Sequence, residues 1–309
     1  MTGAGQRVLV TGGAGFIGSH VVDELLRREC VVTVVDDLST GRLANLAPGA
    51  DFHRLDIAHA DLLGLLRDRR PALVVHLAAQ SSVSRSVADP RGDAVTNILG
   101  TINLLNACVE VGVRQVVFAA SGGTAYGETR GPAAEDSPLQ PLSPYGIAKL
   151  AGEFYLRHFQ AQHGLGGVSL RLANVYGPRQ DPAGEAGVVA IFAHRMLVGG
   201  QPVIFGDGEC VRDYVYVGDV VKAIFLALAH PGGGSFNIGT GRGTTVNQLF
   251  HALARACRFP GPATYGPPRP GDLRYSVLDA SRTRRELGWS ASTSLEEGLA
   301  LTVAAFRQE

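Results

Sequence analysis

The chain has 309 residues, of which 45% are hydrophobic, and its 28 lysines and arginines balance 28 aspartates and glutamates. This length favours one large or two intertwined domains with a sizeable core, and the balanced charge provides no basic surface for nucleic acid. The sequence contains no run of about 18 apolar residues that would cross a membrane, and no signal peptide pattern. Its four cysteines are far apart and include no C-x-x-C pair. We therefore expect a cytoplasmic protein with no metal site and with neither nucleic acid nor membrane as a partner.

Short runs rich in valine and leucine alternate with helical patterns through residues 1–175. The runs typical of buried strands are Arg7–Val10, Val31–Val35, Phe52–Leu55, Leu73–Leu77, Gln115–Ala119 and Val168–Leu172. The helical patterns between them are Ile17–Arg28, Asp61–Arg69, Asp93–Val111 and Tyr145–His163. This alternation predicts an α/β fold, a doubly wound parallel Rossmann-type sheet with right-handed crossovers.

The pattern loosens after about Gly177, where glycine and proline become frequent. Short strands are predicted at Val203–Phe205 and Ser235–Ile238, and helices at Gly218–Ala229, Val246–Ala256 and Leu295–Phe306. We expect residues 1–175 to form a dinucleotide-binding domain. Residues 176–309 should form a smaller C-terminal α/β lobe that binds substrate, with some of the chain crossing between the two.

A glycine-rich turn follows the first predicted strand. The glycines Gly12, Gly15 and Gly18 lie at the transition from this strand to the first predicted helix. Gly12 permits a tight turn, Gly15 permits close approach of a pyrophosphate, and Gly18 permits close packing of the helix on the strand. The N-terminus of the helix offers free N–H groups and a positive dipole end to phosphate.

Asp36 ends the second predicted strand, about 24 positions after Gly12. A carboxylate at this place accepts hydrogen bonds from a ribose diol and repels a 2′-phosphate. The cofactor expected from the turn and the carboxylate together is therefore NAD rather than NADP.

Tyr145 and Lys149 are four positions apart at the start of a predicted helix, so both project from one helical face. A phenol has a pKa near 10, and we expect the Lys149 ammonium and a positively charged nicotinamide to lower it. Ser121 and Thr124 follow the strand Gln115–Ala119. At the carboxyl end of a parallel strand, their hydroxyls are placed to contact a reacting oxygen.

The segments TGGAGFIGSH, HLAAQ, ASGGTAYG, Y-x-x-x-K and RLANVYGPRQDP resemble the extended short-chain dehydrogenase/reductase family from Val8 to about Trp289. The resemblance implies an isomerase that removes hydride from C4 of a UDP-hexose and returns it through a 4-keto intermediate, with tightly held NAD. It also implies a homodimer that pairs the helices Asp93–Val111 and Tyr145–His163 of each subunit.

The resemblance also assigns roles to individual residues. Tyr145 would be the base, Lys149 its electrostatic support, and Ser121 and Thr124 their hydroxyl partners in catalysis. Cofactor contacts would come from Gly12, Gly15, Phe16, Ile17, Gly18, Asp36, Asp56, Ile57, Leu77, Ala78, Ala79, Gln80, Asn97, Tyr145 and Lys149. Substrate contacts would come from Ser121, Tyr145, Asn174, Arg212, Arg269 and Asp272, with the arginines suited to diphosphate.

Several alternatives stay open. A sugar-nucleotide 4,6-dehydratase would carry an Asp-Glu pair after Thr124, where this chain has Ala125 and Tyr126. A glucuronate epimerase or decarboxylase is disfavoured by Asp181, which would repel a sugar carboxylate. A small Ser276 would leave room for an N-acetyl group, although Tyr275 is adjacent in the sequence. A non-enzymatic NAD-sensing regulator on the same fold is a further hypothesis.

Overall fold

The computed structural model describes residues 3–182, 187–269 and 271–308. The chain divides into two compact units, each assembled from separate segments. Unit 1 consists of Met1–Ala125, Pro141–Arg171 and Val221–Phe236, and unit 2 consists of Tyr126–Gln140, Leu172–Val220 and Asn237–Glu309. The chain therefore passes between the units more than once. The predicted boundary after residue 175, and the binding roles given to the two domains, stay predictions.

The central sheet has seven strands. In chain order they are β1 (Arg7–Thr11), β2 (Val31–Asp36), β3 (Asp51–Arg54), β4 (Leu73–His76), β5 (Gln115–Ser121), β6 (Gly166–Leu172) and β10 (Gly234–Ile238). Their spatial order is β10-β6-β5-β4-β1-β2-β3, and the pairings from β3 to β5 are parallel. The predicted doubly wound sheet is confirmed, and its order reverses at β1 and β4.

Helices flank this sheet. They are α1 (Phe16–Arg27), α2 (Asp61–Arg69), α3 (Val83–Ala88), α4 (Pro90–Ala94), α5 (Gly100–Val111), α6 (Gly122–Ala125), α7 (Pro144–His163) and α9 (Val217–Ala229). Side chains of the inner strands, such as Leu9 and Val116, meet Leu104 of α5 and Leu156 of α7 in one buried cluster. Each such side chain contributes about 1.5–3 kcal/mol by leaving water. The core therefore holds the sheet, α5 and α7 together as one framework.

The predicted helix Asp93–Val111 is part of a longer helical run, Pro90–Val111. Asp89 caps its N-terminus by accepting a hydrogen bond from the Gly92 N–H, and a π-helical turn, Val95–Leu99, separates α4 from α5. By length and composition alone this run could cross a membrane, with a mean hydropathy of 1.3 and 39% of the stretch buried. A core helix passes the same test, so the finding is weak evidence for a span.

Unit 2 is built on shorter strands. They are β7 (Asn174–Tyr176), β8 (Val203–Phe205), β9 (Val211–Tyr216), β11 (Gly243–Thr245), β12 (Thr264–Gly266) and β13 (Tyr275–Ser276). Strand β9 pairs with β7, β11 and β13, and β12 pairs with β8. The helices are α8 (Val188–Leu197), α10 (Val246–Cys257), α11 (Ser281–Leu287) and α12 (Leu295–Phe306). A second buried cluster, which includes Phe192, Leu253 and Val303, packs α8, α10 and α12 together.

Candidate active site

The glycine-rich turn joins β1 to α1 in unit 1. Gly12 has a φ of +70°, a backbone angle that residues other than glycine rarely adopt. A Cβ there would lie 2.6 Å from the backbone nitrogen of Ala78. A Cβ on Gly18 would collide with the backbone of Gly12, so α1 packs directly on the turn. A Cβ on Gly15 would meet only the Gly12 carbonyl oxygen, at 3.2 Å. The space beside Gly15 is therefore open to a ligand.

The N-terminus of α1 and the end of β2 form the rest of this site. No side chain caps the first backbone N–H groups of α1, and its first turn contains no acidic residue. The Asp36 carboxylate accepts hydrogen bonds from the N–H groups of Ala14, at 3.0 Å, and Leu38, at 2.9 Å. It therefore lies beside the turn. Open N–H donors next to a buried carboxylate fit the pyrophosphate and the adenine ribose of NAD.

The loop after β4 continues the site at the carboxyl ends of the strands. Its residues Leu77, Ala78, Ala79 and Gln80 are half-buried. Asn97 is 3% exposed and is bonded twice to the Gln80 backbone: its Oδ1 accepts from the N–H and its Nδ2 donates to the carbonyl, both at 2.9 Å. Asn97 of the helical run Pro90–Val111 thus fixes the loop whose residues are predicted to contact the cofactor.

Two further residues predicted to contact the cofactor, Asp56 and Ile57, follow β3. Ile57 is buried in the core, whereas Asp56 is exposed and its Oδ1 accepts from the Ala58 N–H at 2.8 Å. Phe16 and Ile17 are half-buried in the first turn of α1.

The predicted catalytic residues come together where β5 ends and α7 begins. Ser143 caps α7 by accepting a hydrogen bond from the Gly146 N–H, and Pro144 occupies its first turn. Tyr145 lies close enough to Ser121 for that side chain to lower the pKa of the Tyr145 phenol. Thr124 packs against Gly146, and its Oγ1 is buried with no hydrogen-bond partner among the described residues. A hydroxyl of a ligand would satisfy it.

Lys149 lies one turn further along α7. It is 5% exposed, and its Nζ donates to the Ala119 carbonyl oxygen at 2.9 Å. The same Nζ lies 5.9 Å from the centre of the Tyr145 ring and 5.0 Å from that of Phe118. Burial lowers the pKa of Lys149 to about 8, and the charge of Asp93 opposes this shift.

The expectation that Lys149 lowers the pKa of Tyr145 is wrong for the protein without ligands. Burial raises the pKa of Tyr145 to about 12, the hydrogen bond from Ser121 opposes this rise, and the negative charge of Asp93 adds to it. Desolvation of the phenolate therefore outweighs the effect of Ser121. A cation bound beside the phenol would lower the pKa of Tyr145.

The predicted substrate residues Asn174 and Arg212 lie in unit 2 on the adjacent strands β7 and β9. Asn174 pairs with Tyr214, and Arg212 pairs with Thr244 of β11 and Ser276 of β13. Paired residues project to the same side of a sheet, and residues two apart on a strand do so too. The five residues therefore share one side, and Tyr275 projects to the other.

Arg269 and Asp272 lie in the segment between β12 and β13. Both are exposed, and the Arg269 guanidinium stacks over the Phe205 ring at 4.1 Å. The Asp272 N–H donates to the Arg269 carbonyl at 3.3 Å. The stacked guanidinium of Arg269 is accessible, as an anion-binding side chain requires.

Two buried groups escaped the sequence reasoning. Asp93 is 2% exposed, and Tyr214 is 5% exposed with a hydroxyl that has no partner among the described residues. Lysine usage was a further signal, since only two of the 28 basic residues are lysines, Lys149 and Lys222. The buried Lys149 therefore stands out in a chain that otherwise uses arginine.

Comparison with known proteins agrees with this geometry. A model of the NAD dependent epimerase/dehydratase family matches residues 8–239. A UDP-glucose 4-epimerase of Mycolicibacterium smegmatis is 49% identical over 98% of this chain and 99% of its own length. The crystal structure of the Thermotoga maritima UDP-glucose 4-epimerase with UDP-glucose has a TM-score of 0.96 and 51% identity, covering 97% of this chain and 98% of that one. That of the Thermus thermophilus UDP-glucose 4-epimerase with NAD has a TM-score of 0.93 and 47% identity, covering 98% and 99%.

The fold and the site together define a dinucleotide-binding α/β enzyme with a tyrosine–lysine pair at the carboxyl edge of its sheet. The chain belongs to the NAD-dependent epimerase/dehydratase family, which lies within the extended short-chain dehydrogenase/reductases, so the predicted family and cofactor are confirmed.

Proposed function

We propose that this protein is an NAD-dependent 4-epimerase that interconverts UDP-glucose and UDP-galactose. The observation that carries the proposal is the position of Tyr145 beside Ser121, with Lys149 held one turn away by the Ala119 carbonyl, at the same edge of the sheet as the NAD-binding turn. The similarity to UDP-glucose 4-epimerases over nearly the whole chain supports it.

NAD, which the turn at Gly12, Gly15 and Gly18 and the carboxylate of Asp36 would hold, would supply the hydride acceptor and donor for C4 of the hexose, so that no net oxidation would occur. Tyr145 removes the O4 proton and later gives it back, as general base and then general acid. Ser121 shares the hydrogen bond to O4, and Thr124 offers a second hydroxyl. Lys149, held by the Ala119 carbonyl, supplies positive charge beside the phenol.

We assign the UDP portion to the side of the unit 2 sheet that carries Arg212. Arg212 and Arg269 bind the diphosphate, because guanidinium groups form bidentate, permanently charged bonds to phosphate. Asn174 contributes an amide to the phosphate or sugar, and Asp272 accepts from the uridine ribose. The 4-keto sugar turns about its link to the anchored diphosphate before hydride returns.

The N-acetyl forms of the hexose belong to the same proposal. Ser276 is on the side of the strand that carries Arg212, whereas the bulky Tyr275 is on the side of Val211. A serine at this position leaves room beside C2 of the sugar. UDP-GalNAc and UDP-GlcNAc are therefore expected substrates.

Two related reactions receive less support. A dehydratase needs an acid and a base after Thr124, but Ala125 is 1% exposed and the buried Tyr126 hydroxyl donates to Asn237 Oδ1 at 2.7 Å. Neither residue can move a proton from the sugar. For a glucuronate epimerase or decarboxylase, a carboxylate at Asp181 would repel the carboxylate of the substrate.

We further propose that the protein is a cytoplasmic homodimer. Apolar side chains are exposed on the outer faces of the run Pro90–Val111 and α7: Val95 is 40% exposed, Leu99 55%, Ile147 54% and Phe154 49%. These helices are the ones that the family resemblance pairs with a second copy. The four cysteines are free, as expected for a reducing compartment.

The proposed activity is tested by incubating purified protein and NAD with UDP-galactose and with a panel of UDP- and dTDP-sugars. Proton NMR should show inversion at C4 and no other change, with the UDP-sugars preferred. A 4-keto-6-deoxy product would identify a dehydratase instead. If NAD binds but no sugar changes, the enzyme proposal fails and the non-enzymatic regulator becomes the better hypothesis.

A further inference from the structure

A buried carboxylate lies at the start of the helical run Pro90–Val111 and has no part in the proposed mechanism. Asp93 is 2% exposed. Its Oδ1 accepts hydrogen bonds from Gln80 Nε2 and Asn97 Nδ2, both at 2.9 Å. Its Oδ2 is buried and has no hydrogen-bond partner among the described residues. Burying a carboxylate in this way costs free energy unless charge or hydrogen bonds compensate it.

The two donors are the residues that shape the loop after β4. Asn97 also holds both backbone groups of Gln80, so the three side chains form one cluster. Asn97 Oδ1 accepts from the Gln80 N–H, while Asn97 Nδ2 donates to Asp93. Rotating the amide by half a turn would exchange the two atoms and break both hydrogen bonds, so Asp93 selects one orientation. Asp93 therefore fixes the orientation of the loop predicted to line the cofactor path.

The charge of Asp93 also reaches the catalytic pair. It opposes the lowering of the Lys149 pKa, because an opposite charge favours the ammonium. It raises the pKa of Tyr145, because a like charge disfavours the phenolate. The Lys149 charge in turn opposes the rise that burial causes in the pKa of Asp93.

The other titratable groups around this cluster offer no equivalent charge. His76 of β4 stays neutral, since burial and Lys149 lower its pKa to about 3. Glu153 of α7 is paired with Arg171. The remaining charged groups are exposed to solvent: Arg85, Asp89 and Arg91. Lys149 is thus the buried cation that Asp93 can balance.

We propose that Asp93 is a positioning residue for the epimerisation, whose carboxylate holds Gln80 and Asn97 at the cofactor-lining loop and supplies the buried negative charge that balances Lys149. This inference rests on the proposed function. Asp93 does not touch the reacting atoms; it acts through the loop and through the charge state of the lysine.

The chain itself provides a direct test, because Lys149 and Lys222 are its only lysines. Protein labelled with ¹³C-lysine gives two side-chain signals, which Lys222→Arg assigns, and no cofactor or substrate is needed. Asp93→Asn keeps the size of the side chain and removes the charge, so the pKa of Lys149 should fall by about one unit. The matched control Asp89→Asn removes an exposed carboxylate near the same helix and should leave the titration unchanged. An unchanged Lys149 titration in Asp93→Asn would overturn the proposal.

Asp93→Ser and Asp93→Glu form a second pair in case the asparagine variant does not fold. The glutamate variant should keep Lys149 near its wild-type titration, and the serine variant should shift it downward. Equal titrations in the two variants would contradict the inference.

Turnover gives a readout tied to the reaction. Without Asp93 the pKa values of both Tyr145 and Lys149 should fall, so the profile of kcat against pH moves to lower pH in Asp93→Asn but not in Asp89→Asn. If the wild type epimerises, but the Lys149 titration and the profile of kcat against pH in Asp93→Asn match those of the wild type, only this inference is refuted. A wild type without epimerase activity refutes the proposed function, whatever Lys149 does.

Discussion

Tyr145 is a poor base in the protein without ligands, because burial raises its pKa to about 12. Each unit of pKa is about 1.4 kcal/mol between the two protonation states, so the phenolate is strongly disfavoured at neutral pH. The hydrogen bond from Ser121 offsets part of this cost. Binding of a cationic ring next to the phenol would offset more, which couples the arrival of the oxidised cofactor to the appearance of the base.

The substitution Tyr145→Phe should lower kcat at least about 100-fold, because the proton at O4 loses its acceptor. NAD affinity should change little, since the phenyl ring is kept. Measurement of turnover on UDP-galactose beside a titration with NAD separates the two effects. Tyr155→Phe removes an exposed hydroxyl from the same helix and should have wild-type turnover. Wild-type turnover in Tyr145→Phe would refute the role of Tyr145 as the base.

The width of the sugar pocket is a second property decided by one residue. Replacing Ser276 with Tyr should reduce activity on UDP-GalNAc by about tenfold or more, because the ring fills the space beside C2. Activity on UDP-galactose should be kept. The control Tyr275→Phe alters the opposite side of the strand and should change neither rate. Equal losses on both sugars, or a wild type inactive on UDP-GalNAc, would contradict the proposed pocket.

Residue types and spacing were sufficient to find Tyr145, Lys149 and the glycine turn, because each depends on local geometry along a strand–helix junction. They were not sufficient for the pKa of Tyr145, which depends on what surrounds it. The role of Asp93 could not be predicted from the sequence either. Its partner Gln80 is 13 positions away, and nothing in the local pattern predicts their contact.

At the scale of elements, α7 has two roles: it carries Tyr145 and Lys149, and it contains one half of a buried ion pair that stabilises the fold. Its Glu153 forms a buried ion pair with Arg171 of β6, with Arg171 Nη2 2.9 Å from Glu153 Oε2, and the Ser235 hydroxyl donates to the same carboxylate at 2.8 Å. Side-chain exposures are only 6% for Arg171 and 5% for Glu153. The pair thus ties the helix that carries Tyr145 to the sheet.

Glu153→Gln should lower the free energy of unfolding by about 3 kcal/mol, because it leaves a buried guanidinium without its counter-charge. The comparison is Glu286→Gln, which breaks an exposed pair with Arg282 and should cost less than about 1 kcal/mol. Thermal unfolding of both variants gives the two values. Similar small losses in both would show that the buried pair does not anchor α7.

The elements of unit 1 were largely predictable. In unit 2 the predictions for β8, α10 and α12 are confirmed, whereas the strands β7, β9, β11, β12 and β13 were not predicted. Strands buried on both faces appear in the sequence as continuous valine and leucine runs. Strand β9 (VRDYVY) contains an arginine and a buried aspartate. Asp213 is accommodated there because the N–H groups of Thr240 and Gly241 donate to it from a distant loop. Such strands depend on contacts that no local pattern contains.

At the scale of the whole molecule, we propose a second copy of the chain as the partner that covers the exposed apolar side chains of the run Pro90–Val111 and α7. A contiguous apolar surface on two packed helices is costly to leave in water. The proposed dimer would also account for the apolar composition by which the run Pro90–Val111 resembles a membrane span. In a dimer, the outward residues are buried against the same residues of the partner.

The proposed dimer predicts a mass of about twice 32.5 kDa in sedimentation equilibrium. The double variant Leu99→Glu and Ile147→Glu should shift the protein to the monomer, because it would bury carboxylates in the proposed apolar interface. Both positions are more than half exposed in one subunit, so its fold should persist. Val198→Glu and Leu301→Glu place the same charges on exposed apolar positions of unit 2 and should leave the mass unchanged. The melting temperature of the wild type should rise with protein concentration, and that of the first double variant should not. A wild-type monomer with a concentration-independent melting temperature would eliminate the dimer and leave the apolar surface unexplained.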